Sequence, residues 1–204
     1  MEEKYINDLK EIKEMMDRSS RFISLSGISG IATGVIALAG AMFAYRFIFA
    51  NISSPGYYQL DIPLEYAMHI LFVAIGTLLL ALAAGIYFTT RETRKRKLPV
   101  WDYQTKRLLT NLSIPLLAGG ILCLIFLFKG FVGFLAPMTL IFYGLALVNA
   151  GKYTLTEVRS LGLIELLLGL AAMYWIDYGL IFWAVGFGVL HIVYGIIIQW
   201  KYKS

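Results

Sequence analysis

Apolar residues are gathered into six stretches, Phe22–Phe49, Tyr66–Thr90, Leu108–Phe128, Phe131–Ala150, Thr156–Ile176 and Leu180–Trp200, with the charged residues falling mostly between them. A helix satisfies its own backbone, so apolar runs near 20 residues predict helices that cross a hydrocarbon core of about 30 Å. The expected fold class is therefore all-α: a polytopic transmembrane helical bundle of six spans over residues 21–204, led into by a cytoplasmic amphipathic helix over residues 1–20. The first run exceeds the requirement, which puts Tyr45, Arg46 and Phe47 at the interface.

Ahead of the first span, Tyr5, Leu9, Ile12 and Met16 follow helical spacing and form one apolar stripe on a charged segment, Glu2–Arg18. Its polar face carries six acids (Glu2, Glu3, Asp8, Glu11, Glu14, Asp17) against four bases (Lys4, Lys10, Lys13, Arg18). A net negative face disfavours adsorption on anionic lipid and favours docking on protein: the chain's own loops, a second copy, or a separate partner.

Composition agrees with a lipid-embedded chain: 59% hydrophobic and 15% charged over 204 residues, with a mean hydropathy of +0.71. Charge then sets orientation. The segments before Phe22, around Arg91–Arg107, around Lys152–Arg159 and after Trp200 hold 16 of the 18 Lys and Arg, leaving Arg46 and Lys129 opposite. Both termini are thus expected in the cytoplasm. The run Arg91, Arg94, Lys95, Arg96, Lys97 serves as a topology signal, and Arg94, Lys95, Arg96 and Lys97 are also placed to contact anionic lipid head groups. The net charge of +5 is a membrane signature of this kind and no argument for nucleic acid.

A repeat of three helical hairpins is one reading of the spacing. Arg21, Arg107 and Arg159 stand at the starts of the odd spans, each followed 13 residues later by Gly34, Gly120 or Ala172, while Tyr143-Gly144 and Tyr194-Gly195 correspond in spans four and six. Any set of helices beginning on the same side would share some of these positions. Span one is rich in small residues, with Ser26, Gly30 and Gly34 on one stripe and Ser29, Thr33, Ala37 and Ala41 on another, the pattern of close helix packing in lipid.

Ionisable residues inside a bilayer are where function is sought first, because each is costly unless paired or wetted. Glu165 lies about 12 Å from the aqueous end of span five and His191 about 15 Å from that of span six, at 1.5 Å per residue. Their similar depth on consecutive antiparallel helices predicts a protonatable pair, with Tyr194 near it. Asn111 is a third candidate, since Pro115 has no N–H for the Asn111 carbonyl and leaves a bent turn with a free acceptor. Together Glu165, His191, Asn111 and Tyr194 form the expected ligand or proton site; the plainer reading is interhelical bonding alone. His69 reads as interfacial, and Tyr174, Trp175, Asp177 and Tyr178 as an outer aromatic belt.

Catalytic signatures are missing from the sequence: there is no His-Glu-x-x-His, no Gly-x-Ser-x-Gly, no phosphate-binding glycine loop and no Cys/His metal spacing. Cys123 is the only cysteine, so neither an intramolecular disulfide nor a cysteine-built metal site is expected, and no cofactor is implied. The stretch Met15 to Gly27, Met-Met-Asp-Arg-Ser-Ser-Arg-Phe-Ile-Ser-Leu-Ser-Gly, resembles the start of a group of small bacterial six-helix integral membrane proteins with an amphipathic N-terminal helix. That resemblance implies a bacterial inner-membrane protein and carries no activity or site residue with it.

Two functions stand against each other on these grounds. One is binding or transport of a small solute or proton through a polar cavity between spans three, five and six. The other is a membrane-anchored regulatory or interaction protein that works through Glu2–Arg18.

Overall fold

The computed structural model describes residues 26–48, 64–97 and 99–202. The expected helix Glu2–Arg18 lies outside the described residues, as do Arg21 and all but the end of the connection Asn51–Glu65. Among the described residues the fold is all-helical, with six helices and no strand. They are α1 (Gly27–Phe47), α2 (Leu64–Lys95), α3 (Tyr103–Phe128), α4 (Leu135–Ala150), α5 (Thr156–Tyr174) and α6 (residues 179–202). Short 3-10 turns, Val132–Phe134 and Ile176–Tyr178, lead into α4 and α6.

Among the described residues five stretches are long and apolar enough to cross a membrane: Gly27–Phe47, Glu65–Lys95, Tyr103–Phe128, Val132–Ala150 and Ile176–Tyr202. The chain is accordingly a helical bundle of the kind membrane proteins form. Helix α5 differs from these five because its 19 residues carry Glu157, Arg159 and Glu165.

Helices continue past the apolar runs where water takes over. Helix α2 runs on through Arg91 to Lys95, supported by the Glu92–Arg96 ion pair at 3.0 Å, and stops where Lys97 takes a left-handed φ of 54°. Helix α3 begins at Tyr103, five residues before its apolar run, because the Asp102 carboxylate accepts from the Thr105 backbone N–H at 2.7 Å and the Thr105 hydroxyl at 2.6 Å.

The core lies between α4 and α5 and between α1 and α6, where backbones come close. A Cβ added at Gly144 would stand 2.6 Å from the Leu166 nitrogen and 2.7 Å from the Gly162 carbonyl, so only glycine lets α4 and α5 meet there. On the other side, Gly30 and Gly34 of α1 face Gly195 and Gly188 of α6. The small-residue stripe of span one is therefore a packing surface. Its hydroxyls turn back on their own helix, Ser29 to the Ser26 carbonyl at 2.6 Å and Thr33 to those of Ser29 and Gly30 at 2.9 and 3.0 Å.

Helices α2 and α3 flank this core, α2 against α1 and α3 against α4. They meet each other through a small cluster of Ala67, Leu127 and Val132 at the end opposite the basic loops. The register-matched Gly34, Gly120 and Ala172 sit in unlike surroundings: Gly34 against α6, Gly120 facing open space, Ala172 fully buried. Likewise α6 packs more on α1 than on its hairpin neighbour α5.

Candidate functional site

Helix α5 brings Glu165 to the bundle interior, where its exposure is 0%. Space for the carboxylate exists because residue 186 is glycine: a Cβ there would stand 2.5 Å from Glu165 Oε2. Gly186 belongs to a π-helical segment, Ala184–Leu190, that interrupts α6 between its α-helical parts Gly179–Trp183 and His191–Tyr202. Wide turns of this sort concentrate at functional positions, since the extra residue re-aims side chains that follow it.

His191 is the first residue after that segment and is buried. Its Nδ1 stands 3.1 Å from the Gly186 carbonyl and 3.5 Å from Glu165 Oε1. Its Nε2 stands 2.7 Å from the Tyr143 hydroxyl of α4. A carbonyl only accepts, so Nδ1 bears the ring hydrogen and Nε2 accepts from Tyr143. Three helices thus converge in one unit: Tyr143 of α4 donates to His191 of α6, whose N–H points between a carbonyl and the carboxylate of α5.

Neither oxygen of Glu165 has a hydrogen-bond partner among the described residues. At 3.5 Å the approach of His191 is a charge contact more than a hydrogen bond. A carboxyl group so placed keeps its full capacity to accept, and an ionised one without partners is costly to bury.

Rings line one face of α6 beside this cluster. Trp183 lies 5.0 Å from Phe187, Phe187 5.9 Å from His191, and Tyr143 4.9 Å from Phe187, all between centroids. Trp183 also borders a cavity of about 160 Å³ between α1, α2, α4 and α6, apolar but for Thr77, Thr139 and Asp177. By the yardstick of a 150 Å³ hole that admits benzene, it has room for one ring-sized apolar group.

Of the four expected site residues, Glu165 and His191 are together. Tyr194 bonds to neither: its buried hydroxyl has no partner among the described residues, and its ring packs on the cluster Leu147, Leu155, Val158, Leu161 and Ile198. Asn111 is engaged elsewhere. Its side-chain amide donates to the Arg107 carbonyl at 2.8 Å, and the carbonyl that Pro115 frees accepts from Asn149 Nδ2 of α4 at 3.0 Å. The spare acceptor is real, and an α3–α4 bond uses it.

Tyr143 and Asn149 are the two residues sequence reading missed. A tyrosine in mid-span needs a partner for its hydroxyl, and an amide in a span needs one for its N–H; both are signals of the same sort as Glu165.

At the basic end, Glu157 pairs with Lys201 Nζ, and the Tyr202 hydroxyl lies 3.2 Å from both Glu157 oxygens. Of the expected lipid contacts, Arg96 is engaged, with Glu92 and with the Tyr202 carbonyl at 3.1 Å; Arg94, Lys95 and Lys97 are exposed. At the other end Tyr174, Trp175 and Tyr178 are exposed together, as an interfacial belt would be. Arg107 lies over the rings of Tyr103 and Tyr153, at 5.0 and 5.4 Å.

No group of three metal-binding side chains occurs among the described residues. No protein-family model, curated protein or solved structure matches the chain.

Proposed function

We propose that this chain is a six-span bacterial inner-membrane protein that binds a proton at Glu165 and couples it to the passage or binding of a small solute. The observation that carries the reading is Glu165 itself: an enclosed carboxyl group with two unbonded oxygens, facing an imidazole whose far nitrogen is held by Tyr143. Such a carboxylate is tolerable inside a bilayer only with a proton or cation beside it, and a purely structural carboxyl would be expected to spend its acceptors on donors. An apolar cavity bordered by Trp183, at the far end of the row of rings that leads to His191, is the space offered to the solute in this reading.

Helix α5 is the sixth span in this reading. Its length of about 28 Å fits, Glu157 and Arg159 belong to its aqueous first turn, and Glu165 is the site. Both termini face the cytoplasm, and Arg94, Lys95 and Lys97 meet anionic head groups there.

Dicyclohexylcarbodiimide, which attacks protonated carboxyls in apolar surroundings, should label Glu165 in the purified protein, read by peptide mass spectrometry. Liposomes holding the protein should dissipate an imposed pH gradient faster than empty ones, and Glu165→Gln should lose both effects while keeping the wild-type elution profile. Labelling that spares Glu165, with gradient decay equal in wild type and variant, rejects the reading.

A further inference from the structure

Helix α6 carries a second set of polar groups between His191 and the basic end, and the proton site alone does not use them. His191, Tyr194, Ile198 and Tyr202 recur every three or four residues in the α-helical part that follows the π-helical segment and so share one face of it. Tyr143, Tyr194 and Tyr202 all pack on the same apolar cluster, which fixes their three rings along one wall.

The polar atoms along this wall form a series. Glu157, ion-paired with Lys201, accepts from Tyr202 at the aqueous end. The Tyr194 hydroxyl follows, about 4.5 Å along the axis from His191, buried and with no partner among the described residues. Then come the Tyr143 hydroxyl, bonded to His191 Nε2, and Glu165 beyond Nδ1. Two of these positions, Tyr194 and Glu165, hold polar oxygens with no hydrogen bond among the described residues. Unbonded hydroxyls in a polar series are where water is taken up, since each buried water needs two or more such partners.

The geometry points to a proton path: protons reach Glu165 from the end of the bundle that bears Glu157, Lys201 and Tyr202, passed through Tyr194 and Tyr143 to His191. This rests on the proton site proposed above. The transfer conserves protons at each step. Tyr143 gives its hydroxyl proton to His191 Nε2 while Nδ1 releases its own to the Glu165 carboxylate. Tyr143 recovers a proton from water held against Tyr194, and that water is reprotonated from bulk water at Glu157. His191 is left with its hydrogen on Nε2, Tyr143 is again a phenol, and one proton has moved from the aqueous face to Glu165. No oxidant, metal or further reactant is needed.

Tyr194→Phe removes only a hydroxyl that has no hydrogen bond among the described residues, so the fold should survive it. The test is a pH jump on the full chain in phosphatidylcholine nanodiscs, with infrared detection of the Glu165 carboxyl band, identified by its loss in Glu165→Gln. Tyr194→Phe should slow the approach to the new equilibrium at least fivefold and leave the final amplitude unchanged. Tyr174→Phe, at the far end, should relax like wild type. A Tyr194→Phe relaxation as fast as wild type overturns the path and leaves the proton site standing. A wild-type spectrum without any responding Glu165 band removes the site, and the path with it.

Discussion

Helices α4 and α2 are both strongly apolar, yet they are used in opposite ways. Helix α4, 16 residues long, is gripped on two sides: Gly144 lies against the α5 backbone, Leu140 has no exposed surface, and Tyr143 and Asn149 bond to α6 and α3. Helix α2, at 32 residues, presents Phe72, Leu78, Leu79, Leu80, Leu82 and Ile86 outward. The difference teaches that hydrophobicity marks a helix for the membrane but does not place it in the bundle. Small residues and polar bonds do that, because lipid solvates leucine as well as protein does.

The contrast is broken most forcefully at Gly144. Replacing it by leucine would drive a side chain into the α5 backbone, and overpacking costs about 3 kcal/mol or more where the obstacle is backbone. The expected outcome is an aggregated or markedly less heat-stable protein in detergent, seen by fluorescence-monitored size exclusion. The same change at Gly120, which faces open space, should leave the elution and melting profiles near wild type.

Somewhat smaller is the effect of opening a void. Leu140→Ala should cost about 2–4 kcal/mol in reversible unfolding with sodium dodecyl sulfate, the usual range for a buried leucine. Leu79→Ala on α2 exchanges one lipid-facing apolar surface for a smaller one and should fall within about 0.5 kcal/mol of wild type.

Next comes the α3–α4 amide bond. Asn149→Leu leaves the Asn111 carbonyl without its donor and should cost about 0.6–1.7 kcal/mol in the same assay, the span measured for interhelical bonds in lipid. Least of all is the Glu92–Arg96 pair at the aqueous end of α2. Arg96→Gln should lose about 0.3–0.5 kcal/mol, and the loss should vanish in high salt.

How the sequence bears on this architecture depends on which force acted. The apolar runs locate the helices because a backbone in hydrocarbon has no alternative to internal bonding, and the α3 and α4 boundaries at Phe128 and Ala150 agree to the residue. Helix starts in water obey another rule, capping, which is why α3 begins at Asp102 and Tyr103 rather than at Leu108. Glu165 and His191 were legible as a pair because depth follows from residue count. Which third helix supplies their partner does not follow from depth: the expected Asn111 is bonded to Asn149, and Tyr143, which the sequence reading did not single out for the site, bonds His191. The π-helical segment leaves no local mark, since Ala184–Leu190 reads as ordinary helix.

That segment also sets a phase. One residue in an α-helix corresponds to about 100° of rotation, and a π turn spends one extra residue, so everything from His191 to Tyr202 lies about 100° back around the axis from where unbroken α winding would put it. Winding the same seven residues Ala184–Leu190 as ordinary α-helix would swing the imidazole away from the carboxylate, while keeping every apolar side chain in the membrane. The bearing of the histidine, and hence whether the three helices converge on one point, is fixed by a single surplus residue.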